Sequence, residues 1–281
     1  DAITKETTEY FAKVIFVTAA TLNTNLILMN SKSKRFPNGL GNDSGVLGKY
    51  IAFHNYRGVI NAQHEGHANF TTEGAKPTSH YIPRFRNVYR QETDFLRGYA
   101  AGFGAQPIRE IKSDDIGMYL KNDLLKTKET GLWNVNSHMM GETIPKESNQ
   151  VTLDTEKVDQ WGIPQLNVDV DYDDNDEKML NDFFDEFTDM YTKAGFINIQ
   201  TQDNNRTPGN DIHEMGGVRM GKDPKTSMLN AWNQMHYCKN VFVTDGACMT
   251  STSTQNPSLT FMAISARAAN YAIEQLKKGE L

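Results

Sequence analysis

The sequence is short of several things, and each absence removes a class of explanation. It has only two cysteines in 281 residues, Cys238 and Cys248. They can pair, but two cysteines in a chain this long need no disulfide framework and do not fix a compartment. No stretch approaches the roughly 20 apolar residues of a membrane helix. Charge of neither sign dominates, since 29 Lys and Arg against 35 Asp and Glu leave a net −6, which does not point to nucleic acid. No initiator Met and no signal-peptide pattern open the chain, so targeting information is expected to lie outside it. No internal repeat or low-complexity segment is seen. The absence with the largest consequence is the Gly-x-Gly-x-x-Gly fingerprint that binds a dinucleotide pyrophosphate; no such run followed by an acidic residue is found. What remains is enough chain for one large domain or two small ones.

The segment from His213 to Leu281 carries the strongest pattern. It opens with His213-Glu214-Met215-Gly216-Gly217-Val218-Arg219-Met220-Gly221. An apolar run, Val241-Phe242-Val243, then ends in Thr244-Asp245-Gly246-Ala247, and Gln255-Asn256-Pro257-Ser258-Leu259-Thr260 follows. Val241 to Thr244 reads as a short buried strand, with Asp245-Gly246 as its closing turn. Leu259, Met262, Ala266, Ala269, Ile273 and Leu276 recur three and four apart, which predicts the buried stripe of a terminal helix. Asn256 is expected at its N-cap and Pro257 at its first helical position, with Lys277, Lys278 and Gly279 suiting its end. On periodicity alone this is an ordinary docking helix. Its N-terminus would also offer free N–H groups and partial positive charge to an anion or to a ring oxygen gaining charge. Within this segment His213 is set among glycines, and Gly216, Gly217 and Gly221 would let backbone approach something closely.

Upstream, Ala12 to Thr18 reads as a buried strand, and Ala19 to Leu28 leads into an apolar helix. Phe36 to Asn42 is a loop by its turn residues. His54 follows the apolar Ile51-Ala52-Phe53 and is read as structural. His64-Glu65-Gly66-His67 lacks the His-x-x-x-His spacing of a helical metal site and is read as exposed loop. Tyr81 to Phe85, Phe95 to Tyr99, Gly131 to Asn136, Gln150 to Asp154 and Phe196 to Gln200 are strand candidates. Leu166, Val168, Val170 and Tyr172 alternate strictly. Trp133, Phe85 and Tyr99 have the surface to stack on a sugar ring, but aromatics in strands are more often core. Asp176 to Ala194 reads as an amphipathic helix with Leu180, Phe183, Phe184, Phe187, Tyr191 and Ala194 on its apolar face and Gly195 past its end. The acidic residues Asp169, Asp171, Asp173, Asp174 and Asp176 lack the glycine and closing glutamate of a calcium loop, so no metal site is expected. Many strands with few helices between them predict an α+β fold, mainly antiparallel sheet packed with helices.

A histidine leading into a Gly-rich stretch that ends Arg219-Met220-Gly221, a strand with Asp245-Gly246, and Asn256-Pro257 opening the last helix occur here in that order. Together they resemble the C-terminal part of the glucose-methanol-choline (GMC) family of FAD-dependent oxidoreductases. Trp232-Asn233-Gln234 and Thr244 to Thr252 look most like the flavoprotein subunits of glucoside 3-dehydrogenases and gluconate 2-dehydrogenases. The resemblance implies three parts: residues 1–50 as the end of an FAD-binding domain, 51–210 as a substrate domain whose sheet roofs the flavin, and 211–281 as a catalytic tail returning to the FAD domain. The principal FAD-binding domain, with its fingerprint, is expected upstream, so this polypeptide alone should bind FAD poorly.

By resemblance His213 is the base and Asn256 its partner on the substrate oxygen; some family members have His in place of Asn. Imidazole suits the proton, since its pKa lies near neutrality. Asp245, Gly246, Asn256, Pro257 and Thr260 would contact FAD, the first two through backbone groups at its ribityl and pyrophosphate part. Asn256 carries a tension, because a side chain capping its own helix cannot freely face a substrate; the substrate-facing role is favoured. The implied activity is oxidation of a CH–OH group in a sugar, glycoside or polyol, with electrons passed to an acceptor other than oxygen, such as a partner subunit. An alcohol, choline or sterol oxidase and a non-catalytic binding or assembly module stay open beside it.

Overall fold

A computed structural model describes residues 1, 3–65, 80–108, 117–126, 132–209 and 213–281, without the side chains of 123–126. In chain order the elements are β1 (Ile15–Val17), α1 (Thr21–Asn30), β2 (His54–Asn55), β3 (Gly58–His64), β4 (His80–Ile82), β5 (Tyr99–Pro107), α2 (Met118–Lys126), β6 (Trp133–Glu142), β7 (Gln150–Val158), β8 (Pro164–Asp169), α3 (Asp174–Lys193), β9 (Ile197–Asp203), β10 (Val241–Val243) and α4 (Ser258–Lys278). They gather into two units. One comprises Asp1–His54, Glu142–Tyr172 and Pro208–Leu281, the other Asn55–Gly141 and Asp173–Thr207. Glu142–Tyr172 thus groups with the two ends of the chain rather than with its middle.

The second unit is a helix on a sheet. Its strands run β4-β5-β6-β3-β9, each antiparallel to its neighbours. Alternation sends Ile60 and Ala62 of β3, Tyr99 and Ala101 of β5, and Val135 and Met139 of β6 into one buried cluster with Met179, Leu180, Phe183, Phe187 and Tyr191 of α3. Each of the large aliphatic, Phe and Met side chains among these contributes about 1.5–3 kcal/mol when fully buried. The acidic run is used at the start of α3, where Asp173 accepts from the amides of Asn175 and Asp176 and Asp176 reciprocates, a capping box. Past its end, Gly195 takes a left-handed turn with φ 82°. Tyr99 donates its hydroxyl to Asp182 at 2.6 Å, and Arg86 pairs with the same carboxylate at 2.9 Å. Burial, and then that hydrogen bond, hold the Tyr99 phenol far above its ordinary range.

The first unit has little regular structure. β1 and β10 form a parallel pair, β7 and β8 an antiparallel one. Leu28 and Met29 of α1 bury with Val46, Leu47, Ile51, Phe53, Val151, Val218, Met228, Met235, Val241 and Val243. Backbone bonds between loops stitch these together. Gly48 donates to Gly217 and Val151 to Gly48, both at 2.8 Å. Cys238 and Cys248 are both free.

Four expectations are corrected. Phe95 to Gly98 is a bend, with Arg97 at φ 71°, and extended structure begins only at Tyr99. β1 is not buried, since among the described residues it pairs only with β10; Ile15 stays 43 % and Phe16 39 % exposed. In α4 the predicted stripe is outward, with Leu259 at 77 % and Met262 at 69 % exposure. The helix packs through Ala268, Ala272 and Gln275 instead, and the first two bury against Phe242 of β10. His64 closes β3 rather than opening a loop, while His67 lies outside the described residues.

Candidate active site

His213 stands in the left-handed region at φ 78°, a conformation that costs a non-glycine residue about 1 kcal/mol or more and that clusters at functional sites. The chain after it is clamped on two sides. Met215 and Ala52 exchange backbone hydrogen bonds at 2.8 Å, while Gly216 donates to Gly246 at 3.0 Å, Val218 to Ala247 at 3.0 Å and Met220 to Cys248 at 3.1 Å. The base candidate and the Asp245-Gly246 turn therefore belong to one stitched assembly. The glycines give the close approach expected of them, and what they approach is this chain itself. A Cβ on Gly216, at φ 95°, would stand 2.2 Å from the Tyr50 carbonyl oxygen, and one on Gly217, at φ 86°, 2.2 Å from Asn25 Oδ1. They admit this chain's own backbone and side chains.

His54 is fully buried, as a structural histidine would be, yet its ring meets His213. Nε2 of His54 lies 3.0 Å from Nδ1 of His213, with the rings perpendicular at 85°. One nitrogen of that pair donates and the other accepts. The arrangement leaves Nε2 of half-exposed His213 for a ligand. Burial holds the His213 imidazole below its ordinary value, which favours the neutral form. Burial also lifts the Glu214 carboxyl above the usual carboxylate range.

Asp245 accepts from Thr24 Oγ1 at 2.5 Å and from the Ala247 amide at 2.9 Å. Burial raises its carboxyl pKa, and those two hydrogen bonds oppose the rise. Gly246 is buried, and a Cβ there would stand 2.3 Å from Thr21 Oγ1 and 2.8 Å from the Glu214 carbonyl oxygen. Thr21 in turn donates to that same carbonyl. Thr21 and Thr24, on one face of α1, thus support the turn and the residue beside His213.

Asn256 is not the N-cap. Pro257 holds that position at φ −89°, no side chain caps the helix, and the first helical bond runs from the Phe261 amide to the Pro257 carbonyl at 3.0 Å. Asn256 is exposed and makes no side-chain hydrogen bond among the described residues, so the tension noted in the sequence is removed. Pro257 is buried, and Thr260 is exposed on the first turn. Burial pushes the nearby Cys248 thiol up to about 12, which leaves it unreactive.

The stretch holding these groups, apart from α1 and the Tyr50–His54 segment, has a known counterpart: residues 145–265 match the family model of the GMC oxidoreductase C-terminal domain. That segment is similar to the C-terminal domain of GMC oxidoreductases. His213, Asp245, Gly246, Asn256, Pro257 and Thr260 fall inside the matched GMC segment. It is similar to 2-methyl-1,2-propanediol dehydrogenase of Mycolicibacterium austroafricanum, 30 % identical over 94 % of this chain and 48 % of that protein. It is also similar to the fructose dehydrogenase large subunit of Gluconobacter japonicus, 27 % identical over 98 % of this chain and 50 % of that one. The chain spans about half the length of these curated relatives. Its fold is that of a formate oxidase crystal structure, with TM-score 0.60 at 12 % identity over 94 % of this chain and 55 % of the other. Mixed helices and antiparallel sheets agree with the α+β expectation. Among the described residues, no helix is long and apolar enough to cross a membrane.

Proposed function

We propose that this chain is the substrate-domain part of an FAD-dependent oxidoreductase that oxidises a CH–OH group, with His213 as the base. In this reading residues 1–50 and 211–281 complete a nucleotide-binding domain, and 51–210 form the substrate domain. The reading rests chiefly on His213, an imidazole in a strained backbone conformation, with its Nδ1 held by His54 and its pKa lowered by burial.

The residues present fit the flavin. The start of α4 has no side-chain cap, and its exposed first turn keeps amide donors open for an electron-rich ring edge. Ser258, Leu259 and Thr260 would supply those donors, with Asn256 and Pro257 beside them and the Asp245-Gly246 turn at the ribityl and pyrophosphate part. FAD, when bound, supplies the hydride acceptor. His213 Nε2 takes the hydroxyl proton. For that, the neutral ring must carry its own proton on Nδ1, donated to His54 Nε2. His54 then fixes the tautomer and accepts from the imidazolium once it forms. Asn256 donates its amide to the substrate oxygen as charge develops. The same chemistry suits a sugar, a glycoside or a polyol, with a separate acceptor subunit taking the electrons.

Because burial lowers the His213 pKa, the base stays unprotonated to more acid pH than an ordinary histidine. The acid limb of kcat/KM is expected below about 6.5, and loss of the neutral form lowers activity as pH falls through it. The decisive experiment uses the full-length product: flavin absorbance with a panel of glucosides, free sugars and polyols, and His213→Ala alongside. Bleaching of the flavin by a sugar in the wild type, slowed about 10²- to 10⁴-fold in the variant, supports the base. Equal rates would remove His213 from the mechanism. A full-length product without flavin would favour the non-catalytic module.

A further inference from the structure

The candidate site has two arms that are far apart in sequence. In one, His54 stands against His213; the other runs from Ser251 to Asn256 and opens α4. Each arm is tied to the same dipeptide, Glu142-Thr143, at the end of β6, and all these residues belong to the first unit. Thr143 holds the first arm. Its hydroxyl donates to the Phe53 carbonyl at 2.6 Å and accepts from the Phe53 amide at 3.1 Å. One side chain thus binds both backbone groups of the residue before His54, and both residues are buried. A hydroxyl, with one donor and two lone pairs, suits that two-way bond; valine would match its shape and offer neither.

Glu142 holds the second arm. It is only 3 % exposed, and its Oε1 accepts from the Ser251 hydroxyl. Ser251 Oγ also accepts from the Ser253 amide at 3.4 Å, which ties in the bend at Ser253, φ 58°. Thr252 and Thr254 are buried on either side of that bend, so the loop is seated as it leads to Asn256 and the buried Pro257. Burying a carboxyl group is costly unless it is hydrogen-bonded. A strand that merely ended here could carry an apolar or a solvated residue. An acid sunk at this point, next to a threonine that grips the His54 segment, stands where the two arms need a fixed separation. A base and a donor that share one substrate oxygen are sensitive to that separation, since a misplacement of about 1 Å can cost on the order of 10²-fold in rate.

We propose that Glu142 and Thr143 are positioning residues that hold the His213 imidazole and the Asn256 amide at the spacing one substrate oxygen requires. The inference deepens the oxidoreductase reading and rests on it. The test uses full-length protein, with rates taken per bound flavin so that an unfolded fraction does not enter. Thr143→Val is expected to lower kcat/KM about tenfold or more and to move its acid limb to lower pH, because a His54 that drifts no longer accepts from the His213 imidazolium. Glu142→Ala and Ser251→Ala loosen the other arm: kcat falls about tenfold, KM changes by less than about twofold, and the acid limb stays in place. Thr143→Ser and Glu142→Gln keep the hydrogen-bonding oxygens and should recover most of the rate. Should Glu142→Ala fail to fold, Ser251→Ala decides for that arm. Variants that lose stability but keep the wild-type kcat and pH profile would overturn the proposal and leave the dipeptide structural. Conservative variants as slow as the others would overturn it too. A wild type whose flavin no alcohol reduces would remove the oxidoreductase reading itself, whereas intact oxidation with unmoved rates in the variants would remove the positioning alone.

Discussion

Two helices of nearly equal length, α3 and α4, are built on opposite plans. α3 closes its own start with a side-chain capping box and buries its apolar stripe under a sheet. α4 has no side-chain cap, and it turns Leu259, Met262, Ile273 and Leu276 outward. The difference separates a helix whose work is internal from one whose start and outer face are left for something else. An apolar stripe announces that a face is to be covered; it does not say by which part of a protein. The nucleotide-binding half proposed above is the cover that fits α4.

The contrast can be tested by substitutions in the two helices. The largest effect is expected from Phe183→Ala on α3. This fully buried ring touches Tyr99 and Phe187, and its loss should cost about 3–5 kcal/mol in denaturant unfolding. Next comes Asn256→Ala before α4. In full-length protein, flavin reduction should slow about 10²- to 10³-fold with stability unchanged, since the side chain is exposed and unbonded. A stability loss without a rate loss would make Asn256 a structural residue and erase the contrast. Asp173→Ala should do the reverse, costing about 1 kcal/mol in thermal unfolding and leaving the reaction rate alone. The smallest effect is expected for Met262→Ser, within about 0.5 kcal/mol in this chain by itself. The same substitution should destabilise the full-length protein; equal behaviour in both would leave α4 without a cover.

Much of the second unit was legible because local signals agreed. Acidic residues open α3, apolar residues recur at its period, and Gly195 ends it. β9 there, and β7 and β10 of the first unit, fell where alternation or an apolar run put them, within a few residues at their ends, while β6 runs on to Glu142, well past the expected Asn136. What was not legible depends on distance in space. His54 and His213 are 159 positions apart, and a lone sequence gives no sign that their rings meet. The glycines after His213 were seen, but not that Tyr50 and Asn25 fill the room they leave. The helix stripe was seen without its direction.

The parallel pair of β1 and β10 has a consequence for the order of events on the ribosome. Ile15 waits for Val241, a partner more than 200 positions later, and the first unit is assembled from three separated segments. The second unit is complete once Thr207 has emerged. At about 5–20 residues per second, β1 is exposed for about 10 s or more before its partner exists. The sheet with α3 should therefore acquire protease resistance first on a translating chain. The loop that carries His213 should follow only when its partners Gly246, Ala247 and Cys248 have left the tunnel.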